Sequence, residues 1–211
     1  MTRTIFLCIK VGIFIKMKTT ARFAVMLILL LGNSSFIEQG RWLIAPQSRL
    51  SILGTTNVNT FKCMLDSYTV NDTLEYSQGK KSIEMKITKN KMRIPVRSFN
   101  CGHKQITKDF LETLKSKEYP QLEISFRSFT NRSITDKSTV NGIVDITLAG
   151  TTKRFTVTYF ARIPSTGVLL LTGKQAVNFS DFRLKPPSKM MGMIQVQESL
   201  EVEFNLMLKT I

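Results

Sequence analysis

Two runs of strict alternation dominate the chain. Val140, Gly142, Val144, Ile146 and Leu148 share one parity, and so do Phe155, Val157, Tyr159, Ala161 and Ile163. Period-two alternation predicts strands with one buried face. The connector between them, Ala149-Gly150-Thr151-Thr152-Lys153, is short and contains glycine. That combination predicts an antiparallel hairpin over 139–163.

The same pattern recurs along most of the chain. Arg41 to Leu53 predicts a first strand, with Pro46 near its start where a lost donor is tolerable. Asn57 to Leu65 predicts a second, anchored by Val58 and Phe61, and Asn71-Asp72 marks a turn. Ile83, Met85 and Ile87 alternate with Glu84 and Lys86 until Asn90 interrupts. Met92, Ile94 and Val96 then alternate with Lys91, Arg93, Pro95 and Arg97. One helix is predicted, capped by Thr107, with Phe110, Leu111 and Leu114 on one face and Pro120 as its stop. Strands resume with Leu122, Ile124 and Phe126, then the hairpin, then Gly167 to Phe179. Lys185-Pro186-Pro187-Ser188-Lys189 is a loop, and Val202, Phe204, Leu206 and Leu208 form the last alternating run. Eight or nine short strands with one helix predict a sandwich or a closed barrel, and the pattern does not separate the two.

The amino terminus changes the picture. Lys18 and Arg22 precede the apolar run Phe23 to Leu31, and Gly32, Ser34 and Ser35 follow. That is the layout of a secretory signal peptide, and nine apolar residues fall short of the ~20 needed to span a bilayer. An uncleaved anchor is the other reading. The expected organisation is a leader over 1–37 and one β domain over 38–211. Residues 1–16 make a poor n-region, so Met17 is the expected start, and no Cys lies just after the apolar run to invite lipoprotein processing.

Removal of the leader takes Cys8 away and leaves Cys63 and Cys101. An even pair in an exported protein is a disulfide candidate, with two buried free thiols as the alternative. The formal charge is +15, and every one of the 15 acidic residues lies from Glu38 onward. A basic balance points to anionic partners or to a solubilising surface. The densest basic cluster is Lys80, Lys81, Lys86, Lys89, Lys91, Arg93 and Arg97, opposed by Glu84 alone. Of these, Lys86, Lys91, Arg93 and Arg97 face away from the apolar parity. They form a solvated face or a surface for anionic lipid head groups. No aromatic residue interleaves the cluster, so nucleic acid is not expected.

Catalytic chemistry is sparse. The single His, His103, sits two residues after Cys101, too few ligands for zinc and poor geometry for a nucleophilic pair. No Gly-rich phosphate loop or nucleophile elbow appears. The residues predict a protein that is not an enzyme, with no metal and no cofactor.

Four segments resemble the YceI-like family of exported lipid- or polyisoprenoid-binding proteins. They are Trp42 to Leu50; Asp109-Phe110-Leu111 with Glu118 to Phe126; Asn141-Gly142 through Lys153; and Phe179-Ser180-Asp181-Phe182-Arg183-Leu184. The likeness runs from about Trp42 to Leu208. The chain departs from the family in lacking a His in Gly54 to Cys63 and in carrying Cys63 and Cys101.

The resemblance implies an extended, eight-stranded, lipocalin-like antiparallel barrel with one helix against it, and a long isoprenoid chain in its lumen. Ile83, Met85, Ile87, Met92, Ile94, Val96, Phe126, Val144, Ile146, Val157, Tyr159 and Phe204 would then face that lumen. The alternative is a structural or interaction barrel filled by these same side chains. The expected partners are a lipid or isoprenoid-like molecule, an anionic membrane surface and a second copy in a homodimer, and the expected compartment is the periplasm.

Overall fold

An apolar residue at every second position commits a segment to a pleated strand once a shared interior takes up that face. The computed structural model describes residues 37–65, 68–79, 82–130 and 134–211. The expected leader lies outside these residues except for Ile37, as do the expected start at Met17 and the cluster members Lys80 and Lys81. Residues 37–211 form one unit.

The strands are β1 Ile37–Ile44, β2 Arg49–Thr55, β3 Thr60–Leu65, β4 Thr73–Gly79, β5 Glu84–Lys89 and β6 Lys91–Pro95. After the helix α1, Lys104–Thr113, come β7 Gln121–Thr130, β8 Ser138–Leu148, β9 Thr151–Ser165 and β10 Val168–Asn178. A small hairpin, β11 Ser188–Lys189 and β12 Ile194–Gln195, precedes β13 Ser199–Thr210.

Among the described residues the architecture is mainly β, a closed eight-stranded antiparallel barrel with a single α-helix. Neighbours run β1-β4-β5-β7-β8-β9-β10-β13, and β1 pairs with β13 to close the ring. Closure pairs each of these eight strands on both sides. The remaining strands are continuations of this wall. β1 meets β13 at Leu208 to Thr210 and β2 meets it at Glu201 to Asn205, so the two are one wall strand broken at Ala45-Pro46-Gln47. β3 pairs with β2 and β4 with β1, a second interrupted wall strand. β5 and β6 both pair with β7, on either side of Asn90, whose carbonyl accepts from the Phe126 amide at 2.8 Å.

The hairpin predicted at 139–163 is β8 and β9, paired from Ser138–Ala161 to Leu148–Thr151. Ala149 and Gly150 both have positive φ, 47° and 75°, which is what a tight two-residue hairpin turn needs. Val140, Gly142, Val144, Ile146, Phe155, Val157, Tyr159 and Ala161 are buried as the parity requires. Ile163 is exposed, beyond the end of the shared interior.

Other boundaries differ from expectation for identifiable reasons. The second strand begins at Thr60, not Asn57, because the Thr56 hydroxyl accepts from the amides of Val58 and Asn59 and closes a turn. Val58 is therefore 67% exposed and anchors nothing. β4 escaped prediction because Thr73-Leu74-Glu75-Tyr76-Ser77-Gln78-Gly79 offers few apolar residues. The helix is capped by His103, whose Nδ1 accepts from the Gln105 amide, and not by Thr107. Thr107 lies in the first turn, accepting from the Cys101 amide and donating to the His103 carbonyl. The helix stops at Thr113, with Lys115 in the left-handed region, well before Pro120.

Candidate functional site

The barrel interior is organised by aromatic rings. Trp42 of β1 stacks on Tyr76 of β4 with centroids 4.3 Å apart. Phe129 of β7 joins Trp42 at 6.3 Å, Phe126 at 6.2 Å and Tyr159 at 6.0 Å. Tyr159 in turn meets Phe204 at 6.3 Å. These spacings and tilts are those of favourable aromatic pairs. Gly142 makes the column fit, since a Cβ there would lie 2.8 Å from the Tyr159 ring and 3.1 Å from Phe129.

Two apolar spaces remain. A cavity of about 20 Å³ lies among Met92, Ile94, Ile124, Phe126, Tyr159 and Phe204, with Ser48, Arg49 and Asn205 at its side. A second, of about 80 Å³, lies at the end of the barrel that α1 covers. Its lining includes Phe61, Val96, Phe99, Leu122 and Val202 from the barrel side, Phe110 and Thr113 from the helix, the buried Leu114 just past its end, and Pro187. No residue of α1 itself is fully buried; the helix packs against the core through Phe110 and Leu111, and of these two Phe110 faces the cavity.

The lumen residues predicted from sequence divide clearly. Met92, Ile94, Phe126, Tyr159 and Phe204 come together around the smaller cavity, and Val96 lines the larger one. Met85, Ile87, Val144, Ile146 and Val157 are buried in the same core without lining either. Ile83 does not belong to the set. It precedes β5 and is 62% exposed, because the strand starts at Glu84 and leaves it outside the barrel. Sequence reasoning missed Trp42, Tyr76 and Phe129. Tyr76 sits on the unrecognised β4, and Phe129 turns inward only because a register shift between Phe126 and Ser128 changes the parity of β7.

Tyr159 brings a hydroxyl into this interior. It is 2% exposed, and burial pushes its phenol well above the usual range. No hydrogen bond of its hydroxyl is found among the described residues. Yet no fully enclosed side-chain oxygen or nitrogen there lacks a partner. The hydroxyl is therefore not fully enclosed, and Tyr159 lines the small cavity.

Cys63 and Cys101 are bonded to each other. They flank the isolated bridge between Met64 and Asn100, which joins β3 to the segment leading into α1. Tyr68 adds to this seam by donating to Asp72, whose other bond accepts the Arg93 amide of β6.

The basic face predicted for head groups is partly neutralised. Lys91 lies 2.8 Å and Arg93 3.5 Å from Glu123, and Lys91 foremost holds that carboxyl below its usual range. Lys86 and Arg97 remain as exposed cations on the barrel. Among the described residues no cluster of three or more His, Cys, Asp or Glu is placed to hold a metal ion. No helix there is long and apolar enough to cross a membrane.

One outward carboxylate has a measurable consequence. Asp145 accepts from Arg154 at 2.7 and 3.0 Å and from Arg127 at 2.7 Å. The Arg154 bond, helped by Arg127, lowers its carboxyl to about 2 from 3.8. A folded-state value below the unfolded one stabilises above the unfolded value and is lost as pH falls through the folded one. The contribution is thus complete above about pH 4 and gone near pH 2. Both guanidiniums stay about half exposed or more, so solvent screening reduces it to about 1–2 kcal/mol. In urea unfolding, Asp145→Asn should lose that amount at neutral pH and match the parent near pH 2. A deficit unchanged with pH would contradict the assignment.

Comparison with known proteins follows the same lines. No protein-family model matches the chain, and no curated protein matches it in sequence. Among solved structures, it is similar to a polyisoprenoid binding domain from Saccharophagus degradans implicated in plant cell wall breakdown. That match has a TM-score of 0.58 at 11% identity and covers 82% of this chain and 100% of the other. It is also similar to BcnA of Burkholderia cenocepacia, with a TM-score of 0.56 at 14% identity, covering 76% and 96%. The chain shares their fold. The resemblance to the YceI-like family stands at that level. A YceI protein of Campylobacter jejuni aligns more loosely, with a TM-score of 0.48 at 13% identity over 65% of this chain and 80% of the other.

Proposed function

We propose that this barrel binds a lipid with an isoprenoid-like chain and sequesters or carries it, acting as a binding protein and not as an enzyme. The observation that carries the reading is the apolar space between α1 and the barrel end, lined by carbon and covered by a helix with no fully buried residue. A helix held by a few side chains can lift at modest cost, and an apolar chain entering beneath it gains about 25 cal/mol per Å² of surface removed from water. The fold shared with a polyisoprenoid binding domain supports the ligand class. The unpartnered Tyr159 hydroxyl would meet the ligand's polar end or a double bond deeper in the lumen.

We also propose that the protein is exported, to the periplasm, by the amino-terminal apolar segment. The Cys63–Cys101 bond supports an oxidising compartment.

One observation favours the second reading, a barrel that is filled and binds nothing. Cavities of about 20 and 80 Å³ are well below the several hundred Å³ of an ordinary ligand pocket. Binding therefore requires the helix or the ring column to move. Trp42, the only tryptophan, lies within that column and reports on it. Titration with a long-chain polyprenol should give a saturable change in Trp42 emission. A linear, non-saturating response would favour the filled barrel.

A further inference from the structure

The small hairpin β11–β12 does not contribute to the barrel wall, and its turn is apolar. Met190, Met191 and Gly192 all have positive φ, 52°, 55° and 91°, which turns the tip outward. Met190 and Met193 are 62% and 64% exposed, and Met191 is fully exposed. The hairpin is nevertheless fixed at its base. Lys189 pairs with Asp109 of α1 at 2.7 Å, and the Asn57 side chain donates to the Met193 carbonyl and accepts from the Gln195 amide. Three thioethers are thus held in water by a braced turn. Such a patch marks a contact surface.

The charge around the tip says what it contacts. Between Asp181 and Glu198 the chain carries Arg183, Lys185 and Lys189 and no acid. Across α1 an open groove of about 880 Å³ is lined by Arg97, His103, Lys104, Lys108, Lys115 and Lys117, with Glu112 and Glu118 as its acids. An apolar tip that follows the cations Arg183 and Lys185, on the barrel end whose helix carries a basic groove on its other side, is the pattern of a peripheral membrane contact. We propose that the methionine hairpin inserts into an anionic lipid bilayer and docks the helix-covered end of the barrel on it. Pro187, which leads into the hairpin, also lines the 80 Å³ cavity, so the docked surface adjoins the cover of that cavity. Met side chains suit this role, being flexible and polarisable enough to fill irregular space between acyl chains.

The test uses vesicles of phosphatidylcholine alone and of phosphatidylcholine with phosphatidylglycerol, without cargo. The proposal goes beyond the isoprenoid reading, and either can fail while the other stands. Met191→Trp should shift its added emission to the blue with the anionic vesicles and not with the neutral ones. The combined Met190→Ser, Met191→Ser and Met193→Ser variant should bind the anionic vesicles ~10-fold more weakly than the parent, because three apolar anchors are lost. The replaced side chains are exposed, and the emission readout serves as a second, local test. No blue shift, an equal shift with neutral vesicles, or undiminished binding of the serine variant would each overturn the proposal. So would self-association through the tip without vesicle binding.

Discussion

Breaking the Cys63–Cys101 bond should lower the stability of the barrel by about 4 kcal/mol, the chain-entropy value for a loop of 38 residues. The bond sits beside a break in the strand pairing. β3 and β6 are not laddered to each other, and the seam between them depends on the Met64–Asn100 bridge, the Tyr68–Asp72 bond and the Asp72 contact with the Arg93 amide. Elsewhere around the ring, neighbours such as β8 and β9 share eleven register pairs. The bond also fixes the approach to α1, which starts three residues after Cys101, so its loss should loosen the helix first. Urea unfolding of oxidised and reduced protein, and of Cys63→Ser with Cys101→Ser, measures both effects. Reduction should lower the midpoint and raise amide exchange in α1 before the strands. Equal midpoints would show that the seam holds without the bond.

Phe129→Ala should cost about 3–5 kcal/mol, a large share of the stability of an ordinary domain. Phe129 is 1% exposed and is the node of the aromatic column, with ring contacts to Trp42, Phe126 and Tyr159. Truncation removes the buried ring and leaves a void that rigid strand backbones cannot close. Phe129→Leu keeps most of the volume and should cost less than about 1.5 kcal/mol. The void also bears on function. It lies inside the barrel, and an apolar alcohol that occupies it should restore part of the lost stability, since binding to the folded state alone stabilises that state. Urea midpoints of the two variants, with and without the alcohol, test this. A loss below that of Phe129→Leu would show that the column is not the core of the barrel.

Much of this fold was legible because the strand signal is strong where one face is fully buried. The run from Val140 to Tyr159 needed only its parity to be placed, and the turn at Ala149-Gly150 its glycine. Sandwich and barrel could not be separated in that way, because both bury alternate residues. The pairing of β1 with both β4 and β13 is a long-range fact with no local trace. The misses share a cause. Ile83 and Val58 are apolar residues just outside strand ends, where parity continues on paper but the interior has stopped. Phe129 was hidden by a register shift, and β4 by polar residues such as Gln78, which is buried yet hydrogen-bonded to the Ser82 carbonyl. The basic face was read as a uniform set because Glu123, the acid that neutralises Lys91 and Arg93, comes from the paired strand β7.

The central claim is that the barrel holds an apolar chain beneath α1 although its resting cavities are small. Native mass spectrometry of the protein purified from its source, followed by organic extraction, tests it most directly. The account predicts a stoichiometric adduct that extracts as an isoprenoid-like lipid. Unadducted protein throughout, with no lipid in the extract and none taken up from added polyprenol, would contradict it.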